Sequence, residues 1–263
     1  MTTVKDFDAF FASRLPYEMK EDFDNVGLLV GMNDREVKKV LIALDITSWT
    51  IEEAAKFGAQ LIISHHPLFF GLKRITDSEP VGKSVISLIS SGISAICLHT
   101  NLDSAAGGVN DALIEVTGAV CKGILGETHG SGQDAYGIGR YGILPEAETM
   151  PSFAARLKRL LNCSGLRYHD AGRKVSHIAV CGGSGGEFLE KAVSLGCDTY
   201  ITADIKYDRF LTARELGINL IDADHFCTEN VVVPVLERLV RENFPDVETR
   251  ISKTHTQTAK FLA

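Results

Sequence analysis

Adjacent histidines are the part of this sequence with the clearest chemical meaning. His65 and His66 follow the apolar run 61–63, and two neighbouring imidazoles at the end of a strand seldom serve packing. Neutral imidazole nitrogens are ligands for zinc, iron, manganese, nickel or copper. Because a metal ion needs more than two ligands, the pair predicts that other segments complete a site.

Two later segments have the composition that such a site requires. Each follows an apolar run and places a histidine four residues before a carboxylate, namely His99 before Asp103 and His225 before Glu229. Three or four histidines with two or three carboxylates exceed the needs of one ion. The set therefore predicts a two-metal site, with ions about 3.5–4 Å apart that activate water and stabilise negative charge on a substrate.

Other histidines and acids near these segments have more than one interpretation. His99 could be a ligand, a group that orients a ligand, or a general acid or base. Asp45 could orient a ligand or only precede a helix, and segment 24–31 could line the site or form a turn. A structural role is favoured for the remaining single histidines, which are His129, His169, His177 and His255.

The elements that would position these residues follow from apolar runs and helix signals. Residues 38–66 predict a strand, a helix capped by Thr47 or Ser48 and ended by Gly58, and a second strand. Residues 175–204 predict the same succession. The repetition indicates an internal duplication of a β-α-β-α-β-α unit.

Aligning the glycines that end the two helices places His66 on Asp204. We therefore predict an α/β fold of two similar domains, with largely parallel sheets and helices on their faces. The glycine-rich stretch 126–139 predicts the seam, which gives domains 1–126 and 127–263. The C-terminal part of the second domain could pack back on the first. Since ligands bind at the carboxyl ends of parallel strands, the candidate ligands and Asp204 are expected to converge.

The run 182–186 contains four glycines and follows a predicted strand. We interpret it first as a tight turn and second as an anion site, because it lacks the lysine of a phosphate-binding loop. Lys73, Arg74 and Lys206 are the basic residues near the motifs, and they could contact a phosphate or be solvated surface.

Composition limits the classes of partner. A formal net charge of −7 argues against a general nucleic-acid or anionic-membrane surface. The N-terminus does not resemble a signal peptide, and no apolar stretch is long enough to span a bilayer. The six cysteines are scattered, which predicts reduced and mostly buried thiols of a cytoplasmic protein. Cys227 is the exception of interest because it lies inside a candidate metal segment.

Six motifs lie in order along nearly the whole chain: residues 24–28, 43–47, 63–69, 99–103, 201–207 and 225–229. Together they resemble the Nif-three-like dinuclear-metal family, whose members are also called GTP cyclohydrolase I type 2 homologues. The chain departs from the family at Asp224, where a small residue is common, and at Asp208, where histidine is frequent. Both changes add negative charge near the expected site.

The resemblance implies a duplicated two-domain fold and a homohexamer whose metal sites face an internal cavity. It implies that His66, Asp103 and Glu229 hold one divalent ion, and that His65, His225 and Glu229 hold the other. His99 would lie beside them. The donor set admits zinc, iron or manganese.

The motifs favour a metal-dependent hydrolase acting on a small molecule, which is a nucleotide if the resemblance extends to activity. In that case water attacks C8 of the GTP purine, formate leaves after ring opening, and His99 or Asp204 transfers protons. Two alternatives remain open from the residues. One is a phosphoesterase or amide hydrolase acting on another metabolite, and the other is a non-catalytic metal-binding regulatory scaffold.

Overall fold

Strands and helices alternate through the computed structural model, which describes residues 1–262. The helices are α1 (Val4–Arg14), α2 (Ser48–Phe57), α3 (Pro80–Ser90), α4 (Thr100–Ser104), α5 (Val109–Thr117), α6 (Met150–Leu160), α7 (Leu189–Ser194), α8 (Tyr207–Leu216), α9 (His225–Glu229) and α10 (Val233–Asn243). The strands are β1 (Gly27–Val30), β2 (Lys39–Ala43), β3 (Leu61–Ser64), β4 (Ser94–Cys97), β5 (Val120–Ile124), β6 (Arg140–Glu148), β7 (Arg167–His169), β8 (Val175–Ser184), β9 (Thr199–Ala203), β10 (Asn219–Asp222) and β11 (Glu248–Ile251). Within residues 1–262, no helix combines the length and apolar character needed to cross a bilayer.

The chain forms two compact units. The first unit comprises Met1–Leu102 and Val233–Thr256, and the second comprises Asp103–Val232 and residues 257–262. The predicted boundary after residue 126 lies inside the second unit, because β5 pairs with β6 across the glycine-rich stretch. That stretch is a connection within one sheet. Part of the C-terminal region belongs to the first unit because β11 pairs with β2.

The sheet of the first unit has the strand order β1-β4-β3-β2-β11. All neighbouring strands are parallel except β1, which runs antiparallel to β4 at one edge. Leu41 and Ile62 pack on one face with Ile51 of α2 and Leu88 of α3. Ile42 points to the other face and is also fully buried. Both faces are therefore covered, as the continuous apolar runs predict.

The predicted ends of α2 are confirmed. Thr47 Oγ1 accepts a hydrogen bond from the Thr50 amide at 3.1 Å, which satisfies a backbone donor at the start of the helix. Gly58 follows the helix with φ of +75°, a left-handed conformation that glycine adopts without steric cost.

The sheet of the second unit has the order β5-β6-β8-β9-β10-β7. β8, β9 and β10 are parallel, whereas β5, β6 and β7 pair antiparallel, so this sheet is mixed. Leu113 of α5 and Phe153 of α6 pack on one face. Leu189 of α7 and Ala213 of α8 pack on the other.

Both sheets contain three parallel strands that are adjacent in chain order, β2-β3-β4 and β8-β9-β10. An antiparallel strand lies next to the third strand in each, β1 beside β4 and β7 beside β10. This shared topology agrees with the predicted duplication. His66 follows β3 as Asp204 follows β9, and His99 follows β4 as His225 follows β10.

Candidate metal centre

His65 and His66 lie directly after β3, at the carboxyl end of the first unit's sheet. The His66 amide donates to the Leu44 carbonyl at 2.9 Å, and Ser64 Oγ donates to the His66 carbonyl at 2.9 Å. These contacts fix the turn that follows the strand. His65 is fully buried and His66 is partly exposed. The turn therefore places both imidazoles at the strand end.

The Nδ1 atoms of the first unit's three candidate histidines are hydrogen-bonded to oxygen. The partners are the Leu98 carbonyl for His65 at 2.9 Å and Asp45 Oδ1 for His66 at 2.7 Å. For His99 the partner is Asp24 Oδ1, at 2.8 Å. A carbonyl or carboxylate oxygen only accepts, so Nδ1 carries the proton and the lone pair of the neutral ring is on Nε2.

The three rings are close together within the first unit. Their centroids are 4.9 Å apart for His65 and His66, 5.2 Å for His65 and His99, and 5.7 Å for His66 and His99. One ring nitrogen from each lies within 4.8 Å of the others, a spacing that could hold a metal ion. His99, whose role the sequence left open, thus lies beside the adjacent pair.

The Asp24 carboxylate orients the His99 ring. Its oxygens accept hydrogen bonds from His99 Nδ1 and from the amide of Thr100. Burial raises the pKa of this carboxyl, but the hydrogen bonds from His99 and Thr100 outweigh burial and hold the pKa well below its usual value. Asp24 is therefore ionised at neutral pH and accepts the hydrogen bond from His99 Nδ1.

His225 and Glu229 belong to the second unit and are one turn apart on α9. His225 Nδ1 is 2.7 Å from Asp204 Oδ2, and His225 Nε2 is 3.1 Å from Glu229 Oε2. Nδ1 of this histidine is thus hydrogen-bonded to an oxygen atom, as it is in the three histidines of the first unit. Glu229 is 4% exposed, so its carboxylate is buried. A buried carboxylate requires a compensating charge or hydrogen bonds.

Two aspartates next to His225 have unusual backbone conformations: Asp204, its hydrogen-bond partner, and Asp224, which precedes it in sequence. Asp204 has φ of +53° and Asp224 has φ of +69°, values that few residues other than glycine adopt. Asp224 caps α9 by accepting from the Cys227 amide at 3.2 Å. This conformation gives a physical reason why a small residue would suit position 224.

Gly183 lies against the carboxylate and imidazole of the second unit. It has φ of +63° in β8, and a Cβ there would be 2.1 Å from Glu229 Oε1 and 3.1 Å from His225 Nε2. Gly182 and Gly183 are part of the strand, and α7 has only six residues. The glycine run thus provides room for the side chains of α9, which the interpretation as a turn did not anticipate.

Asp103 is buried at the end of α4, and polar contacts within the second unit fix its backbone. Asn110 Nδ2 donates to the Asp103 carbonyl at 3.0 Å, and Asn110 Oδ1 accepts from the Gly182 amide at 2.9 Å. One asparagine thereby links the Asp103 backbone to the strand that contacts Glu229. Asn110 has no motif of its own in the sequence.

Arg140 stabilises the segment that follows Asp103. This buried guanidinium donates to the carbonyls of Ser104 and Ala105 at 3.3 and 3.1 Å. Its Nε donates to Asp111 Oδ1 at 2.8 Å. Arg140 was not identified from the sequence, because an arginine at the start of a strand carries no local sign that it will be buried and paired.

Cys227 belongs to the core of the second unit. A hydrogen bond with Cys163 and burial both raise the pKa of its thiol far above the usual value, so the thiolate needed for metal binding is disfavoured. Both cysteines pack in the cluster that contains Phe153. His177, one of the histidines interpreted as structural, lies on β8 with its side chain 54% exposed.

The donor chemistry of both units fits a divalent metal ion. The first unit offers imidazole nitrogens, and the second offers the Asp103 and Glu229 carboxylates with the His225 imidazole. Metal-binding histidines usually donate a hydrogen bond from the other ring nitrogen to an oxygen atom, which fixes the tautomer and the ring orientation. Nitrogen and oxygen donors together suit zinc, iron or manganese.

Comparisons with known proteins give a consistent result. A family model described as Duf34/NIF3 (NGG1p interacting factor 3) matches residues 2–258. The chain is 38% identical over 250 residues to a Clostridium perfringens protein named GTP cyclohydrolase 1 type 2 homolog, and the alignment covers 94% of this chain and 95% of that protein.

Solved structures agree with the family match. The crystal structure of Staphylococcus aureus hypothetical protein SA1388 has a TM-score of 0.91 at 30% identity and covers 99% of both chains. A Bacillus cereus protein related to NIF3 has a TM-score of 0.91 at 25% identity, also covering 99% of both chains.

Proposed function

Because this chain belongs to the DUF34/NIF3 family, we propose that it is a hydrolase that uses two divalent metal ions. The proposed ligands are His65, His66, Asp103, His225 and Glu229. They come from both compact units, and their joint use rests on the sequence motifs and on the donor chemistry found in each unit.

The observation that carries this proposal is the common orientation of four histidine rings. His65, His66, His99 and His225 each direct Nδ1 to a carbonyl or carboxylate oxygen within 2.9 Å. The opposite nitrogen then carries the lone pair that a metal ion or a transferred proton requires. Packing alone does not require one tautomer to recur after parallel strands in each of the two sheets.

The family motifs support a division of the ligands between two ions. We assign His66 and Asp103 to one ion, His65 and His225 to the other, and Glu229 to both. Divalent ions held in this way would act as Lewis acids, which lower the pKa of a water molecule and stabilise negative charge on a substrate oxygen.

His99 is proposed to transfer a proton through Nε2. Asp24 is ionised and hydrogen-bonded to Nδ1, so it stabilises the imidazolium that forms when Nε2 accepts a proton. The sequence suggested the same role for Asp204. Its hydrogen bond to His225 Nδ1 supports instead a role in orienting that ligand.

The name of the Clostridium perfringens relative supports a nucleotide substrate. We propose GTP, with water attacking C8 of the purine and formate leaving after the ring opens. We also propose a homohexameric assembly, for which the resemblance of the motifs is the support. Sedimentation of the purified protein tests the assembly independently of activity.

Formate release from GTP tests the reaction. Wild-type protein should release formate with at least one of zinc, iron and manganese. His66→Ala should abolish that release. His177→Ala is the matched control, because it removes an exposed imidazole from β8. Absence of turnover with all three metals, or equal rates for wild type and His66→Ala, would overturn the catalytic assignment.

A further inference from the structure

We infer that Phe23 and Phe70 form a stacking platform for a planar heteroaromatic ring of the substrate, beside His99. The inference rests on the proposed function and deepens it, because it names a substrate class from contacts within the first unit. The class is a heterocycle that carries an anionic group.

Two large aromatic side chains are exposed at this place. Phe23 is 66% exposed and Phe70 is 56% exposed. Their ring centroids are 6.0 Å apart with an interplanar angle of 53°. Paired phenyl rings left in water forgo the stabilisation that burial gives, so an exposed pair is typical of a surface that binds something apolar.

The platform is continuous with the candidate metal centre. The Phe70 ring centroid lies 5.8 Å from that of His99, and the rings of His99 and His66 are 5.7 Å apart. A planar ring on the exposed face of Phe70 would therefore present its edge near the group that we propose transfers a proton. This placement distinguishes the pair from apolar residues scattered elsewhere on the surface.

Polar contacts hold the backbone next to both rings. Asn25 Nδ2 donates to the Phe69 carbonyl at 2.9 Å, which joins the segment of Phe23 to the segment of Phe70. Asp24, the neighbour of Phe23, accepts from His99 Nδ1. The adjacent residues Asp24 and Asn25 thus connect the segment of Phe23 to His99 and to the backbone before Phe70.

A cleft and a positive charge on the loop that carries Phe70 indicate that the ligand also has an anionic group. A cleft of about 780 Å³ runs from Pro67 to Val81 and is lined by Phe70, Leu72 and Lys73. Its volume suits a small molecule. Arg74 is paired with Glu79 at 2.8 Å, whereas Lys73 contributes a positive charge suited to a phosphate or carboxylate.

Calorimetric titration of the metal-loaded, full-length protein tests the platform. The probes are guanosine monophosphate and pterin-6-carboxylate, which contain planar rings, and ribose 5-phosphate, which does not. Wild type should bind at least one ring compound about tenfold or more tightly than ribose 5-phosphate, because stacking on the aromatic side chains adds binding free energy. Phe70→Leu and Phe23→Leu should each weaken that binding about tenfold and leave ribose 5-phosphate binding unchanged.

Trp49→Leu is the matched control, since it removes an exposed aromatic side chain from α2. It should leave all three affinities unchanged. Thermal unfolding and metal content should be the same in all variants. Equal affinities for ring and ringless probes, or equal binding by wild type and both phenylalanine variants, would overturn the platform. A change of oligomeric state in those variants would also overturn it, because the rings would then be covered by a second copy of the chain.

These outcomes separate the platform from the proposed reaction. Ring binding that depends on Phe23 and Phe70, without turnover, refutes the hydrolase and leaves the platform. Turnover with an unchanged KM in both variants leaves the hydrolase and refutes the platform.

Discussion

Replacement of Gly183 with alanine should displace a candidate metal ligand while the fold remains intact. The added Cβ would lie 2.1 Å from Glu229 Oε1, far inside van der Waals contact, so the carboxylate must move. This oxygen is the end of a flexible side chain, and its movement costs the fold little. The same movement takes the carboxylate out of the position in which we propose that it binds both ions.

Two costs of this substitution can be separated by a control. Gly183 has φ of +63°, where an L residue costs about 1–2 kcal/mol of folding free energy. Gly217 has φ of +65° and no atom within 4 Å of an added Cβ, so Gly217→Ala has the strain without the collision. Displacement of the ligand should lower metal affinity about 10- to 100-fold, or about 1.4–2.7 kcal/mol of binding free energy.

Zinc titration against a chelating indicator, together with urea unfolding of the metal-free protein, measures both quantities. Both alanine variants should lose about 1–2 kcal/mol of unfolding free energy. Only Gly183→Ala should lose metal affinity. Equal affinities for wild type and Gly183→Ala would refute the reasoning that the Glu229 carboxylate binds metal from the position that it has next to Gly183.

Asp204→Asn should keep the hydrogen bond to His225 and retain turnover within about tenfold, with weaker metal binding in titrations. If Asp204 were instead the proton carrier, the rate would fall about 10²- to 10⁴-fold at unchanged metal content. Glu53 ties α2 to the segment after β11, because its carboxylate accepts from Ser252 Oγ at 2.6 Å and from the amides of Lys253 and Thr254. Burial raises the pKa of Glu53, but these hydrogen bonds lower it on balance from 4.5 to about 2. The stabilisation is therefore complete above pH 4.5 and is lost as the pH falls through about 2. Glu53→Gln should cost about 1–2 kcal/mol at pH 7 after allowance for solvent screening, and less at pH 3, in urea unfolding. The adjacent exposed Glu52→Gln is the control, and an equal loss in both variants would contradict the contribution of the Glu53 contacts.

Local patterns made several elements and the candidate ligands predictable. The ends of α2 follow from Thr47 and Gly58, which act within one turn of the helix. The histidine pair and the His-x-x-x-acid spacing are also local, since a strand end or a single turn of helix brings each set together. These features therefore do not depend on knowing which strands pair.

Features that depend on distant pairing could not be predicted from local patterns. β11 joins β2 in the first unit although some 200 residues separate them. No local sequence pattern could therefore correct the predicted domain boundary after residue 126. The partner of His66 is Asp45, on the loop after the neighbouring strand, and the sequence left that aspartate with two interpretations. Gly183 was interpreted as part of a turn because its close contact with Glu229 depends on how β8 packs with α9.

The metal content of four purified proteins tests the central claim most directly. After reconstitution and removal of loose ions, elemental analysis should find two ions per chain in wild type and about one in His65→Ala and in His66→Ala. Glu229→Ala should retain less metal than either. A single ion in wild type, or the same metal loss in all three variants, would contradict the division of these ligands between two metal ions.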